Sequence, residues 1–290
     1  MFCATAFPLR KRDRFVFAAD EQQCTKDKRH SCYTGIKINL SRFHVAMVAH
    51  EGRMPDKKPS GTICFLYTFT FLDGMVKQFE VLLDASTLEL VTPKDLPKPS
   101  WTKLKYNQCE QCPLGDDVEY CPVAVNLANL VETFKESQSY ENATVQVQTS
   151  ERTYEKQTTL QKGLSAIIGM YMVTSNCPVM DKLRPMVKFH LPFGSLEETV
   201  YRAASMYLIA QYLLMRKGRQ PDWEMKKLGE IYQSVGHVNR GIAKRLASAS
   251  TEDANMNAVV ILSAYAEMVP FSLENKLAEM EYLFHEYMME

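Results

Sequence analysis

The chain lacks most of the local signatures that announce a common enzyme class. No glycine-rich phosphate loop of either common kind is present, which removes the usual route to nucleotide binding. There is no Gly-x-Ser-x-Gly elbow, so the α/β-hydrolase arrangement is excluded. Glu281 and His285 stand four apart, but a di-iron bundle needs two Glu-x-x-His motifs and further carboxylates. Net charge is also missing: 34 basic and 34 acidic residues cancel. Overall charge therefore gives no nucleic-acid or membrane signal, and aromatic residues are not interleaved with a basic stripe. No apolar run reaches the ~18 residues of a membrane helix. The N-terminus places its charges after its apolar stretch, the wrong order for a secretory signal, and a cytoplasmic protein is expected. In that compartment eight cysteines are better read as thiols or metal ligands than as disulfides.

The neutral total hides an asymmetry. Residues 1–58 hold twelve Lys or Arg and six Asp or Glu, a net of +6, which leaves −6 for the remainder. This stretch shows no sustained periodicity and ends in a Pro-, Lys- and Gly-containing run. It is expected to be a basic extension, poorly ordered or a mis-assigned start with Met54 or Met47 as the initiator. Residues 60–290 are expected to form a single domain.

From Thr62 the pattern becomes regular. Ile63, Phe65, Tyr67, Phe69 and Phe71 alternate on one face of a strand, with Cys64 in the same run as a core residue. Asp73-Gly74 then predicts a two-residue hairpin turn into a second strand ending at 83. Residues 87–91 suggest a third strand, and Pro93, Pro97 and Pro99 an extended connector. Segments 144–149 and 152–158 read as another antiparallel pair. Helical spacing marks 123–134 and 160–173. Ser195 and Glu198 form a capping box for a helix running to about 217, where Gly218 stops it. Asp222 is expected to cap the next helix, and Asp253 and Ser272 two more, divided by Pro270. The fold class is therefore α+β: a small antiparallel sheet (hairpin 62–83 plus 144–158) packed against a largely helical C-terminal half.

One constellation can carry chemistry: Cys109, Cys112, Cys121 and Cys177. The first two form a Cys-x-x-Cys knuckle, and the last three are each followed by proline. Proline is favoured at the first position of a helix, so Cys121 and Cys177 are predicted at helix starts, the latter before a short helix over 179–184. Free N–H groups and the helix dipole favour a thiolate there. Four sulfurs complete either a tetrahedral zinc site or a [4Fe–4S] cluster, with His190 as an alternative fourth ligand. Spacing leaves the choice open, and buried, metal-free cysteines are the plain alternative.

A second region, 176–194, gathers Arg184, Lys188 and His190, and Arg202 follows on the next helix. These residues suggest a pocket for a small anionic ligand, or His190 as a general base. The commoner use of such residues is structural, with His190 hydrogen-bonded and Arg184 and Arg202 paired with Glu197 or Glu198.

The ordered motifs carry a resemblance. Cys109-Glu-Gln-Cys112-Pro-Leu, Tyr120-Cys121-Pro-Val-Ala124, Cys177-Pro178, Arg184-Pro-Met and Phe189-His-Leu-Pro-Phe193 are similar to the motif series of an uncharacterised bacterial domain family, a domain of unknown function. Glu198-Thr-Val-Tyr-Arg202, Met206-Tyr-Leu208 and Asp253-Ala-Asn255 extend it, so that it spans roughly 62–288. The resemblance implies a bacterial source and a single integrated domain after residue 60, and transfers no catalytic role. The sequence thus supports a four-cysteine metal or iron–sulfur protein with a redox, sensing or structural role. Its alternative is a metal-free interaction or anion-binding module built on the Arg184–Arg202 region.

Overall fold

The computed structural model describes residues 61–91 and 97–289. The expected basic extension, with Cys3, Cys24, Cys32, Met47 and Met54, lies outside those residues, as does Pro93. Strands β1 (Thr62–Phe71), β2 (Val76–Asp84), β3 (Asn142–Gln148) and β4 (Thr153–Thr159) form one antiparallel sheet in the order β2-β1-β3-β4. The alternation in β1 sends Phe65, Tyr67, Phe69 and Phe71 into the core. Register between β1 and β2 runs from Thr62 opposite Asp84 to Thr70 opposite Val76.

The turn between them differs from the two-residue form. Phe71 N–H donates to Met75 O (2.9 Å) and Gly74 N–H to Phe71 O (3.0 Å), which makes a three-residue loop. Only Gly74 (φ +85°) adopts the left-handed conformation. Asp73 avoids it by using its carboxylate to accept the Met75 N–H at 2.9 Å, a local bond that fixes the wider loop. The expected third strand shrinks to one bridge, Leu83 opposite Leu90, because the left-handed Leu88 (φ 59°) belongs to the turn that precedes it, its N–H donating to Asp84 O at 2.9 Å.

Helices α1 (Pro122–Phe134), α2 (Leu160–Val173), α3 (Leu196–Arg216), α4 (Lys226–Ala249) and α5 (Ala254–Glu279) follow, with α6 (His285–Met288) after a short 3-10 turn. The protein is α+β, a four-stranded sheet followed by a largely helical C-terminal half. Helix α2 reaches the sheet through Gly163, where a Cβ would meet Val145 Cγ2 at 2.7 Å and Phe69 Cε1 at 3.1 Å. Phe69, Phe79 and Phe134 interlock between the sheet and α1 at ring separations of 5.3–6.2 Å.

Three helix boundaries depart from expectation. Pro270 does not divide two helices, since α5 continues through it. Its missing N–H and ring cost about 3 kcal/mol, but Ala266, Val269 and Leu273 are all buried around it, and each large apolar side chain so placed returns about 1.5–3 kcal/mol. Asp253 occupies the first cap position of α5, yet its carboxylate accepts from Ser139 N–H (2.8 Å) and Ser139 Oγ–H (2.9 Å), pinning the loop after α1 instead. Asp222 does serve the start of α4, accepting from Lys227 N–H (2.9 Å) and Lys226 N–H (3.3 Å), but from upstream of Met225, the boundary residue. The capping box of α3 forms as expected.

Helix α5 is long and apolar enough to cross a membrane by length and composition. It packs along α2, α3 and α4, burying Ala258, Val259, Ala266, Val269 and Leu273, while Val260, Met268 and Phe271 stay exposed.

Candidate functional site

The segment 101–121 is a loop folded onto one stripe of α4. Its base is closed by a bridge between Lys103 and Tyr120 and by Cys121 N–H donating to Thr102 O at 2.8 Å. Arg245 then anchors it. This guanidinium is fully buried and donates to the carbonyls of Trp101 (2.6 Å), Lys103 (2.7 Å) and Leu104 (2.8 Å). One turn earlier on α4, Gly241 receives the Cys109 knuckle: a Cβ there would stand 2.8 Å from Cys109 Sγ and 3.3 Å from Cys109 Cα. His237 Nδ1, one turn further back, lies 3.2 Å from Glu110 Oε2. Ser248 Oγ accepts from Tyr106 O–H at 2.8 Å. Residues 237, 241, 245 and 248 share one face by helical spacing, so α4 is the bed on which the loop lies.

The knuckle is a tight turn, with Cys112 N–H donating to Cys109 O at 3.1 Å. Cys121 is the boundary residue of α1 and Pro122 its first residue. Cys177 sits two residues ahead of Val179, the boundary of the 3-10 helix Met180–Val187. It is therefore outside that helix rather than at its cap. Asn176 turns the chain just before it in the left-handed conformation (φ 63°), held by Arg184 Nη2 donating to its Oδ1 at 2.7 Å.

Cys121 and Cys177 nevertheless have matching environments. The backbone N–H groups two and three residues on, Val123 and Ala124 for Cys121, Val179 and Met180 for Cys177, lower the pKa of each thiol. The contacts at Cys121 fall short of a cap hydrogen bond in geometry, and we read them as electrostatic. Burial outweighs them. It raises Cys121 and Cys177 above the usual thiol value and pushes Cys109 up to about 12. The expected thiolates are thus neutral thiols in the absence of a bound cation, because desolvation wins over the helix-start N–H groups.

The four thiols lie within electrostatic reach of one another. Cys109 feels the charge of Cys121, Cys112 and Cys177, Cys121 feels Cys112, and Cys177 feels Cys121 and Cys112. Such coupling acts over short distances. Arg245 opposes it, favouring ionisation of Cys109 and Cys121. Among the described residues, no three His, Cys, Asp or Glu side chains are arranged to hold a metal ion. The sulfurs therefore do not close a coordination sphere as they stand. Cys64 lies elsewhere, buried in β1 and donating to Glu80 Oε1 at 3.3 Å.

The region 176–194 separates into two groups. Arg184 bonds to Asp181 and Asn176 and stands 3.5 Å from Glu89. It is a structural brace and does not line the neighbouring cavity. Lys188 is exposed. His190 and Arg202 do line that cavity, of about 600 Å³, between α2, the 3-10 helix, α3, α4 and α5. His190 Nε2 is 2.6 Å from the hydroxyl of fully buried Tyr67, and the His190 ring meets Phe65 edge-on at 5.7 Å. Burial, with the charge of Arg202 second, depresses its pKa to about 3. A neutral imidazole bonded to a tyrosine is a poor general base at neutral pH. Arg202 donates to Met186 O at 2.9 Å instead of pairing with Glu197 or Glu198. Burial lowers its pKa, against the smaller opposing pull of Tyr232, Glu198 and Tyr154.

Sequence reasoning missed Arg245 and Gly241. A signal existed: both fall on the buried stripe of α4 that also holds Val238, Ile242 and Leu246, where a charge and a missing side chain are each anomalous. No curated protein and no solved structure matches the chain. A family description does match, over residues 65–285, and includes all four cysteines, Arg202, Gly241 and Arg245. The chain belongs to that family, a domain of unknown function, DUF6901.

Proposed function

We propose that the protein binds a metal centre through Cys109, Cys112, Cys121 and Cys177, in a redox, sensing or structural role. One observation supports the reading: four thiols from three chain segments lie within electrostatic reach of one another, and two of them feel a fully buried arginine that has no carboxylate partner. Arg245 makes no ion pair among the described residues, only bonds to three carbonyls. Its Nε, also buried, has no acceptor. An unpaired buried charge is costly. Four thiolates around a divalent core would carry a net charge of about −2 and supply the missing anion.

The donor set fits a soft, thiolate-seeking centre. The matched N–H pairs at Cys121 and Cys177 would stabilise sulfur anions once protons leave. Structural zinc sites more often pair two knuckles, and here one knuckle stands with two dispersed Cys-Pro ligands, which favours [4Fe–4S] over Zn. Such a group supplies one-electron chemistry or a rigid cross-link when bound. The chain's part is to present the sulfurs, exclude water and hold Arg245 against them.

The test compares bound metal per chain, after anaerobic purification, in the wild type, Cys121→Ser, Cys177→Ser and Cys64→Ser. The first two variants should lose most of it and Cys64→Ser, outside the cluster, should retain it. Equal content in all four would defeat the assignment.

A further inference from the structure

A different part of the molecule holds a large cavity. The cavity beside His190 is of the size that takes small organic ligands, and its walls are chiefly apolar: Met170, Val173, Leu191, Phe193 and Leu262 among them. The charged residues that line it are Lys156, Lys162 and Arg202; none of its lining residues is a carboxylate. Lys156 and Lys162 are exposed, while Arg202 is partly buried. Neither lysine makes an ion pair among the described residues. Glu198, the carboxylate whose charge Arg202 feels, is already engaged, accepting the Ser195 N–H at 2.7 Å as part of the α3 cap. Arg202 spends one nitrogen on Met186 O and keeps the rest of its fork. Phe193 holds the left-handed conformation (φ 63°), which is strained for an aromatic residue and is maintained where surroundings enforce it. The adjoining Gly194 carbonyl accepts from Tyr265 O–H at 3.0 Å, and both Phe193 and Tyr265 line the cavity.

We infer that this cavity binds an amphipathic anion, an apolar body with one carboxylate or phosphate head, the head docking on Arg202 and the body lying between α2 and α5. The apolar walls favour the body through burial. The guanidinium offers the fork geometry that suits either oxyanion, and the lysines at the exposed rim raise the local anion concentration. His190, neutral and held by Tyr67, adds a polar group without adding charge. The inference does not depend on the cysteine centre, which uses other residues.

The test is calorimetric titration of the full chain with dodecanoate and dodecyl phosphate, each below its micelle concentration, and with dodecanol below its solubility limit. Saturable one-to-one binding of at least one of the two anions is expected, with dodecanol weaker by about tenfold or more. The two anionic arms distinguish the head groups. Arg202→Gln should weaken the anions by about tenfold and leave dodecanol unchanged. Ala166→Leu, which fills the cavity from α2 without touching Arg202, should weaken all three ligands, and it keeps the test decisive if Arg202→Gln fails to fold. Absence of saturable binding would overturn the inference. So would dodecanol binding as tightly as the anions, or affinities that Ala166→Leu leaves unchanged.

Discussion

Replacing Gly241 by alanine tests how closely the cysteine loop is seated on α4. The added Cβ would stand 2.8 Å from Cys109 Sγ and 3.3 Å from Cys109 Cα. The first distance is about 1 Å short of a relaxed carbon–sulfur contact, and the second involves backbone, which yields less readily. The knuckle must lift from the helix, at a cost of about 1–3 kcal/mol by analogy with overpacked cores. Alanine also gains about 1 kcal/mol of helix propensity over glycine, which partly hides the collision. Gly236→Ala on the same helix provides the reference. There the Cβ meets only the far end of Arg240, at 3.5 Å, so the propensity gain should appear undiminished. In the difference between the two variants the propensity gain cancels, leaving Gly241→Ala less stable than Gly236→Ala by about 1–3 kcal/mol. Urea unfolding of the apo protein measures this, and metal content per chain should fall in Gly241→Ala alone. If both variants were equally stable and equally loaded, Cys109 would not be seated as described.

Other consequences follow from the same geometry. Arg245→Met leaves the carbonyls of Trp101, Lys103 and Leu104 without their donor and should destabilise the protein by about 1–3 kcal/mol, the cost of the stranded carbonyls being partly offset by loss of the unpaired buried charge; Arg245→Lys, which keeps the charge but not the fork, should also destabilise, and urea unfolding that finds no loss of stability in Arg245→Met would contradict the anchoring role. Titrating apo protein with Zn²⁺ as a probe at pH 7 should release about three protons or more per ion, because burial keeps the thiols of Cys109, Cys121 and Cys177 protonated and ligation requires thiolates; calorimetry in two buffers of different ionisation enthalpy reads the number, and release below one proton would contradict their burial as thiols. His190 is held neutral, its folded pKa of about 3 lying below the usual value of 6.5. The unfolded chain therefore binds the extra proton, and stability present above pH 6.5 should decline as pH falls from there towards 3, by on the order of a few kcal/mol. His190→Gln should flatten that part of the profile, and an unchanged slope would remove His190 as its source.

The strands and helices were legible because their residues repeat a local period. Phe65 to Phe71 alternates without interruption, and Ser195 with Glu198 forms a cap within four residues. Misreadings arose where a single residue was outvoted by distant packing. Pro270 reads locally as a break, but the buried neighbours at 266, 269 and 273 belong to a core assembled by other helices. Asp253 reads as a cap, but its carboxylate is taken by Ser139, 114 residues away. The Cys109–Cys112 knuckle and the Cys-Pro positions could be read from the sequence. That burial would keep the Cys109, Cys121 and Cys177 thiols neutral could not, since it depends on α4 closing over the loop. Arg245 is the clearest case: its role rests on three carbonyls more than 140 residues earlier. Of the residues grouped in 176–202, Arg202 and His190 share a cavity, while Arg184 is spent on Asp181, Asn176 and Glu89.

The central claim is that Cys109, Cys112, Cys121 and Cys177 hold one metal centre against Arg245. The most direct measurement is the absorption spectrum and metal analysis of the full-length protein purified without oxygen. The account expects brown protein with a broad band near ~400 nm that bleaches on reduction, and iron and sulfide in equal amounts. Colourless protein with one zinc per chain would keep the four-cysteine centre and replace the cluster with a structural ion. Metal-free protein after anaerobic handling, with Cys121→Ser as stable as the wild type, would contradict the claim.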